Sequence, residues 1–395
     1  MRYRIQTERI DLFDVNIVIT MNVKLEKRVG FERLKEAFYK ACKLHEILNL
    51  KVVIKPSGEA FYTDNDKPQN SISKTDLTLS ELINENESKR FKIEQGEFIR
   101  AFDSKEGLVF MMHHLGGDGK SLLYFIETFM KCLSGVECEK IPFRNLLTDD
   151  LPKESSLPFI YRILVTMWNK KWSKTRRVFD YKDMDSAYQD FWKEHKTKII
   201  ITRYEKDVLD DLLKRANKIK VSLTSYLITK MLKENTKTGD VGLAVDARDD
   251  KNRSMGNQVT GVSIRYTYDD QKTFDKNAKA VHQIMIKRLR SVRFRYFALQ
   301  FMGKLDPTLK DAINLERAGY FNSEFTSKVA GYLGYGEKIR DLSVTNLTRA
   351  DIVLDYGVNS IKEIVFVPPI VAYAKNVIGI VTTGDIMNVT RHTYE

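Results

Sequence analysis

One joint in the chain constrains its folding more than any other: Phe110-Met111-Met112-His113-His114-Leu115-Gly116-Gly117-Asp118-Gly119-Lys120-Ser121. The apolar run before His113 reads as a buried strand, and the glycines that follow can continue neither strand nor helix, so the chain must turn there. A helix then starts near Gly119 or Ser121 and continues toward Cys132. A histidine at such a strand end is held by a rigid element and faces the space that the loop leaves open. The chain has only six histidines, which makes two adjacent ones followed by Asp-Gly a specific arrangement.

Around this joint the periodicities predict two lobes of mixed α/β structure. In the first, residues 1–150, strands are expected at Asn16–Leu25, Leu50–Lys55, Phe98–Asp103 and Leu108–His113, and a helix over Phe31–Leu48 with Phe38, Ala41, Cys42 and His45 on one side. Residues 151–196 form a connector that holds all three tryptophans and the basic run Ser173–Arg177. The second lobe, residues 197–395, opens with strand Lys198–Tyr204 and helices around Val208–Asn217 and Leu223–Leu232, the latter capped by Ser222. Further strands are expected at Val241–Asp246, Gln258–Tyr268, Glu363–Val367 and Val377–Thr383, with one long helix over Asn277–Met302.

A chain of 395 residues with 43% hydrophobic and 30% charged residues has the balance of a globular protein of two or three domains, not of a fibre or a disordered tail. Three cysteines without metal or redox spacing argue against a disulfide framework and fit a reducing cytoplasm. The polar start Met1-Arg2-Tyr3-Arg4 carries no export signal, and no apolar stretch reaches spanning length. The formal charge of +12 favours acidic partners. Phosphate-loop, dinucleotide, zinc and nucleic-acid signatures are missing, so ATP, NAD, a metal and nucleic acid are not expected.

His113-His114 with Asp118-Gly119 is an HHxxxDG pattern, and the chain thereby resembles the chloramphenicol acetyltransferase-like superfamily. That group includes BAHD acyltransferases, condensation domains of nonribosomal peptide synthetases and bacterial alcohol acyltransferases. Val245-Asp246-Ala247-Arg248 followed by Arg253, Gly256 and Asn257 is similar to the superfamily's arginine strand and GN element. Val344-Thr345-Asn346-Leu347 and Asp355-Tyr356-Gly357 resemble the BAHD pairing of a VTSW-type strand with DFGWG. The chain continues with Val358-Asn359 instead of Trp-Gly, which points away from the plant subfamily toward a bacterial relative.

The resemblance implies two similar lobes of mixed sheet and helix with an active-site channel at their interface. It implies that His114 is the general base, a role typically worth about 10²–10⁴ in rate. Asp118 is implied to turn from the substrate and pair with an arginine, Arg248 first and Arg253 second. Gly119 would leave room for the thioester, with its N–H near developing charge; His113 and Asn257 are supporting residues; Thr345 and Asn346 are oxyanion or channel candidates. The plainer reading of Arg248 is a surface ion pair with Asp246, and that of Asp355-Tyr356-Gly357 is a structural turn.

The implied activity moves an acyl group from a coenzyme A or carrier-protein thioester to a hydroxyl or amine acceptor. Nothing is bound permanently; acyl-CoA or a phosphopantetheine thioester is the donor substrate. Two alternatives stand beside it: a stand-alone condensation enzyme joining carrier-bound substrates through an amide, and a non-catalytic module that recruits a partner. An acyl or peptidyl carrier protein is the expected macromolecular partner, and the basic run Lys287–Arg295 could meet its acidic surface or the phosphates of coenzyme A. Within the connector, Phe159, Ile160, Ile163, Leu164, Met167 and Trp168 fall on one helical face ahead of Lys170, Lys171, Lys174, Arg176 and Arg177. The default for such a face is docking on its own lobe; the alternative is peripheral contact of residues 159–177 with an anionic membrane.

Overall fold

The computed structural model describes residues 2–236, 238–248, 253–333, 341–370 and 375–395. Strands β1 (Arg2–Arg4), β2 (Val18–Leu25), β3 (Leu50–Ile54), β4 (Ala60–Asp64), β5 (Ser71–Lys74), β6 (Ile99–Ser104) and β7 (Gly107–His113) belong to the first lobe, with helices α1 (Phe31–Leu44), α2 (Leu79–Glu87) and α3 (Gly119–Leu133). Helices α4 (Phe159–Trp172) and α5 (Tyr181–Glu194) form the connector. The second half carries β8 (Thr197–Tyr204), α6 (Lys206–Lys218), α7 (Leu223–Met231), β9 (Thr238–Asp246), β10 (Val259–Thr267), α8 (Phe274–Arg290), α9 (Val292–Lys304), α10 (Pro307–Arg317) and α11 (Glu324–Tyr332). It ends with β11 (Leu342–Arg349), β12 (Ile361–Val367), β13 (Asn376–Thr383) and β14 (Ile386–Tyr394).

Two large sheets organise these elements: β12-β2-β7-β6-β5, and the six-stranded β10-β9-β11-β13-β14-β8. In the first, α3 packs as a helix that is apolar almost all round, with Leu122, Leu123, Phe125, Ile126, Phe129 and Met130 fully buried. Phe110 of β7 meets Phe125 and Phe129 edge-on, at 5.9 and 5.2 Å between ring centres. Burying each such side chain contributes about 1.5–3 kcal/mol, so α3 is fixed to the strand that precedes it, and the loop between them is held at both ends.

The lobes are not consecutive stretches of chain. Strand β12 leaves the second half and pairs antiparallel with β2, placing Val365 opposite Asn22. Gly379 of β13 permits the crossing, since a Cβ there would lie 2.6 Å from the Phe366 carbonyl oxygen. Helix α10 also packs on the first lobe, where Arg9 donates to Asp311 through Nε at 2.8 Å in a fully buried pair. The boundary read at residue 197 is therefore crossed by α10 and β12.

Other expectations change for local reasons. The helix from Phe31 stops at Leu44, not Leu48, because Asn49 donates its amide to the carbonyls of Cys42 and His45, both at 2.9 Å, and draws the chain into a 3-10 turn. The helical pattern over Asn277–Met302 is two helices; Ser291 is extended and caps α9 through the Phe294 N–H. In the connector, α5 buries Met184, Ala187, Tyr188 and Phe191, and the indole N–H groups of Trp172 and Trp192 donate to Thr308 Oγ1 and the Val15 carbonyl at 2.8 and 3.0 Å. Helix α4 docks through Val165, Trp168 and Trp172, which leaves Phe159, Ile160, Ile163 and Met167 exposed; of the face expected to dock, Trp168 packs inward and these four turn outward.

A buried ion pair ties the end of α2 to β14. His392 Nε2 lies 3.1 Å from Glu87 Oε1 and Nδ1 lies 2.9 Å from the Pro368 carbonyl oxygen, so a carboxylate faces one side of the ring and a carbonyl the other. Burial alone would lower the pKa of His392, but Glu87 and Pro368 outweigh it and hold it above its ordinary value. The stabilisation is thus full below about pH 6.5 and is lost as pH rises through the raised value. The difference in urea midpoint between wild type and His392→Gln is expected to shrink from about pH 6 to about pH 9; a difference independent of pH would remove this assignment.

Candidate active site

Strand β7 lies inside its sheet, paired with β2 at Val18 opposite His113 and with β6 at Ile99 opposite Met112. Backbone hydrogen bonds continue to the strand's end: His113 N–H donates to Phe98 O at 2.9 Å and His114 N–H to Ile17 O at 3.0 Å. Beyond them Gly117 has φ +153°, and a Cβ there would sit 2.4 Å from Ser121 Cβ, so only glycine lets the loop close onto the start of α3.

His113 is fully buried, and its Nδ1 accepts the Leu115 N–H at 3.1 Å. Burial, with His114, Arg90 and Arg100 nearby, pushes its pKa down to about 3, so this ring is neutral and holds the loop. The loop has a second support in Tyr62, whose hydroxyl lies 3.0 Å from both the Leu115 carbonyl oxygen and Glu8 Oε1. Burial pushes Glu8 up to about 8, and the hydrogen bond from the Tyr62 hydroxyl opposes that rise.

Asp118 turns away from His114. As the N-cap of α3 it accepts the Ser121 N–H at 2.9 Å, and its other oxygen accepts the Gln258 N–H at 2.9 Å. Arg248 closes the pair in bidentate fashion, Nη1 to Oδ2 at 2.7 Å and Nη2 to Oδ1 at 3.1 Å, with both side chains 2% exposed. Nη2 also reaches Ser121 Oγ at 2.8 Å and the Gly256 carbonyl oxygen at 2.9 Å. Burial opposes the charge on Asp118, but Arg248 and the two backbone N–H groups hold its carboxyl below the usual range. Of the two arginines considered from sequence, Arg248 makes this bond; Arg253 pairs instead with Glu127 at 2.6 Å. Arg248 also reaches Asp246 at 3.0 Å, so that contact is an appendage of a buried clamp and not a surface pair.

His114 and Asp11 are each 14% exposed at the side chain, and Nδ1 of the histidine lies 4.0 Å from Asp11 Oδ2. That is a charge contact longer than a hydrogen bond, and within the described residues the buried Nδ1 has no other partner. Asp11 is itself held by Asn257, whose amide donates to Oδ2 at 2.6 Å. Burial raises the pKa of Asp11, while His114, Asn257 and Lys310 pull it back. The histidine thus comes from the first lobe, its acid from the N-terminal 3-10 turn at Arg9–Asp11, and the amide from the segment before β10.

Other expected site residues lie differently. The space a side chain at Gly119 would need holds Leu347 at 3.0 Å and Phe366 at 3.4 Å, so this glycine makes room for apolar packing from β11 and β12. Asn346 donates one amide hydrogen to Thr224 Oγ1 at 2.8 Å and accepts the Thr348 N–H at 2.7 Å, which fixes the orientation of the group. Thr345 stands beside it on β11, opposite Gly379. The turn at Asp355 is structural, with the carboxylate accepting the Gly357 N–H at 2.9 Å and the Ser360 hydroxyl at 2.8 Å. In the run Lys287–Arg295, Arg288 stacks on Phe294 at 4.0 Å and Arg295 donates to the Asp246 carbonyl at 2.7 Å.

Asp11, Ser121 and Gln258 were not singled out from sequence. Ser121 adjoins the motif, whereas nothing in spacing connects Asp11 to a histidine on another element. A cavity of about 510 Å³ lies at the opposite ends of β2 and β7, between Lys27, Lys105 and Lys362, and so does not mark the histidine. Among the described residues no three His, Cys, Asp or Glu side chains gather as metal ligands.

No protein-family model matches the chain, and no curated protein matches it in sequence. Solved structures match its fold over nearly the whole length. The first condensation domain of the CDA synthetase superposes with a TM-score of 0.63 at 11% identity, covering 98% of this chain and 87% of that one. The condensation domain of the monacolin K polyketide synthase gives 0.60 at 13%, covering 100% and 92%. The epimerization domain from the third module of tyrocidine synthetase B gives 0.59 at 14%, also covering 100% and 92%. The starter condensation domain of rhizomide synthetase, solved with C8-CoA and Leu-SNAC, gives 0.60 at 12%, covering 99% and 88%.

Removing one partner of the clamp leaves a buried charge unpaired, which typically costs about 3–5 kcal/mol. Arg248→Met is expected to lose about that much in urea unfolding, and Asp118→Asn in the same background should recover part of it. Wild-type stability of Arg248→Met would contradict the clamp. The fold is that of the condensation domains.

Proposed function

We propose that the chain transfers an acyl group from a thioester to an amine or hydroxyl, with His114 as the base, and that condensation is the form this reaction takes. The observation that carries the proposal is the placement of His114 at the end of a buried strand between the two lobes, partly open to solvent and faced at Nδ1 by Asp11. With its proton on Nδ1 toward that carboxylate, the ring presents the Nε2 lone pair. Nε2 takes the proton of the acceptor N–H or O–H as the acceptor attacks the thioester carbonyl, and the tetrahedral intermediate expels the thiolate. The thiolate recovers that proton from His114, leaving amide or ester and free thiol. Asp11 favours the imidazolium that forms in between.

The fold by itself does not choose the reaction, since the neighbours include an epimerization domain. Their names favour the condensation form over a general alcohol acyltransferase. The rhizomide domain's complex with C8-CoA and Leu-SNAC fits a donor presented on coenzyme A as readily as on a carrier. Asn346 is fixed by Thr224 and the Thr348 N–H and keeps one amide hydrogen for the expected oxyanion or channel role. A purely recruiting module would have no use for a partly exposed histidine faced by a carboxylate.

The test is thiol release and product mass with acyl-CoA and acyl-carrier donors against amine and alcohol acceptors. Release is expected to require an acceptor and to fall about 10²–10⁴-fold in His114→Ala with melting unchanged. Acceptor-dependent release undiminished by that variant would exclude His114 as the base, and silence with all donors would favour recruitment. Asp11→Asn should lower kcat about tenfold or more while leaving KM near wild type, since it acts through the histidine and not on bound substrate. An unchanged kcat would exclude that positioning role.

A further inference from the structure

We infer that helix α4 is a membrane-surface element that lays its outer face on an anionic lipid bilayer. The helix is apolar on two sides. One side docks, through the buried Val165 and Trp172 and through Trp168, whose ring meets Phe301 at 6.0 Å. The other carries Phe159 at 70% exposure, Ile160 at 71%, Ile163 at 43% and Met167 at 60%, and Tyr332 at the end of α11 continues it at 57%. Between α4 and Tyr332 lies a shallow apolar groove of about 320 Å³. Scattered exposed hydrophobics are ordinary on a protein surface, but a contiguous stripe along a single helix marks a contact surface.

Charge identifies the occupant. Residues 159–177 hold six cations and no acid. Arg176 and Arg177 are used internally, the former donating to the Ser57 carbonyl at 2.5 Å and the latter to Asp183 at 2.9 Å. Arg162, Lys170, Lys171 and Lys174 remain exposed beside the apolar stripe. A second copy docking by two-fold symmetry would set this positive patch against itself, whereas anionic headgroups neutralise it while the side chains of Phe159, Ile160 and Met167 enter the acyl boundary. Helix α4 has 14 residues, and among the described residues no helix is long and apolar enough to cross a bilayer, so the contact lies in the plane of the surface.

The experiment is sedimentation of the full chain with phosphatidylcholine vesicles, with and without phosphatidylglycerol. Wild type should bind the anionic vesicles, release with added salt and ignore the neutral ones. Ile160→Asp with Met167→Asp, and separately Lys170→Glu with Lys174→Glu, should each weaken binding about tenfold or more, with melting unchanged because all four side chains are exposed. Absence of wild-type binding to anionic vesicles, or binding that both variants retain, overturns the inference. So does lipid-free self-association that Ile160→Asp abolishes, which would assign the face to a second copy. His114→Ala should bind vesicles like wild type, so this result and that of the acyl-transfer assay are independent.

Discussion

The bidentate pair between Asp118 and Arg248 is the interaction on which the site depends. Two charges removed this far from water are not a cheap source of stability, and an apolar pair of similar volume could well do as much for the fold. What the pair adds is direction. The carboxylate of one lobe caps α3, accepts the Gln258 N–H and meets a planar guanidinium from the other lobe, which itself binds Ser121 and Gly256. Each partner has several fixed contacts, so the loop that carries His114 and the segment that carries Asn257 are locked to one another.

The consequence for chemistry is an acid and a base assembled from distant stretches of chain. His114 comes from the end of β7, Asp11 from the N-terminal turn, and Asn257 from the segment that the clamp fixes. Asp11 is also close to a buried polar layer, in which Arg9 binds Asp311 and Lys310 donates to the carbonyls of Gln6 and Met302 at 2.9 and 2.8 Å. Burial pushes Lys310 down to about 7, so this layer changes charge near neutrality, close behind the acid that faces the histidine. The pair at the site is therefore coupled to α10 as well as to the second lobe.

Much of this was legible in the sequence. The strand, glycine turn and helix around His114 follow from local periodicity, and the partnership of Asp118 with an arginine follows from the resemblance. Asp11 was not legible, because its relation to His114 is created only when the N-terminal turn packs between β7 and α10. The mixing of the lobes was hidden for a similar reason: β12 reads as a strand from its alternation, but no local signal tells which sheet it joins. Helix α4 failed in the opposite sense. Its apolar face was readable, yet Trp172, donating to Thr308, and Trp168, against Phe301, pack inward and leave Phe159, Ile160, Ile163 and Met167 outward.

Base catalysis as proposed requires His114 to be held with its Nδ1 proton toward Asp11 and its Nε2 open. Nitrogen chemical shifts of labelled histidine distinguish the two neutral tautomers, and six histidines, with His114→Ala to assign the signal, make the spectrum tractable. Neutral His114 is expected to carry its proton on Nδ1, and Asp11→Asn to lower the population of that tautomer. A His114 ring protonated on Nε2 in the wild type, indifferent to Asp11, would contradict it.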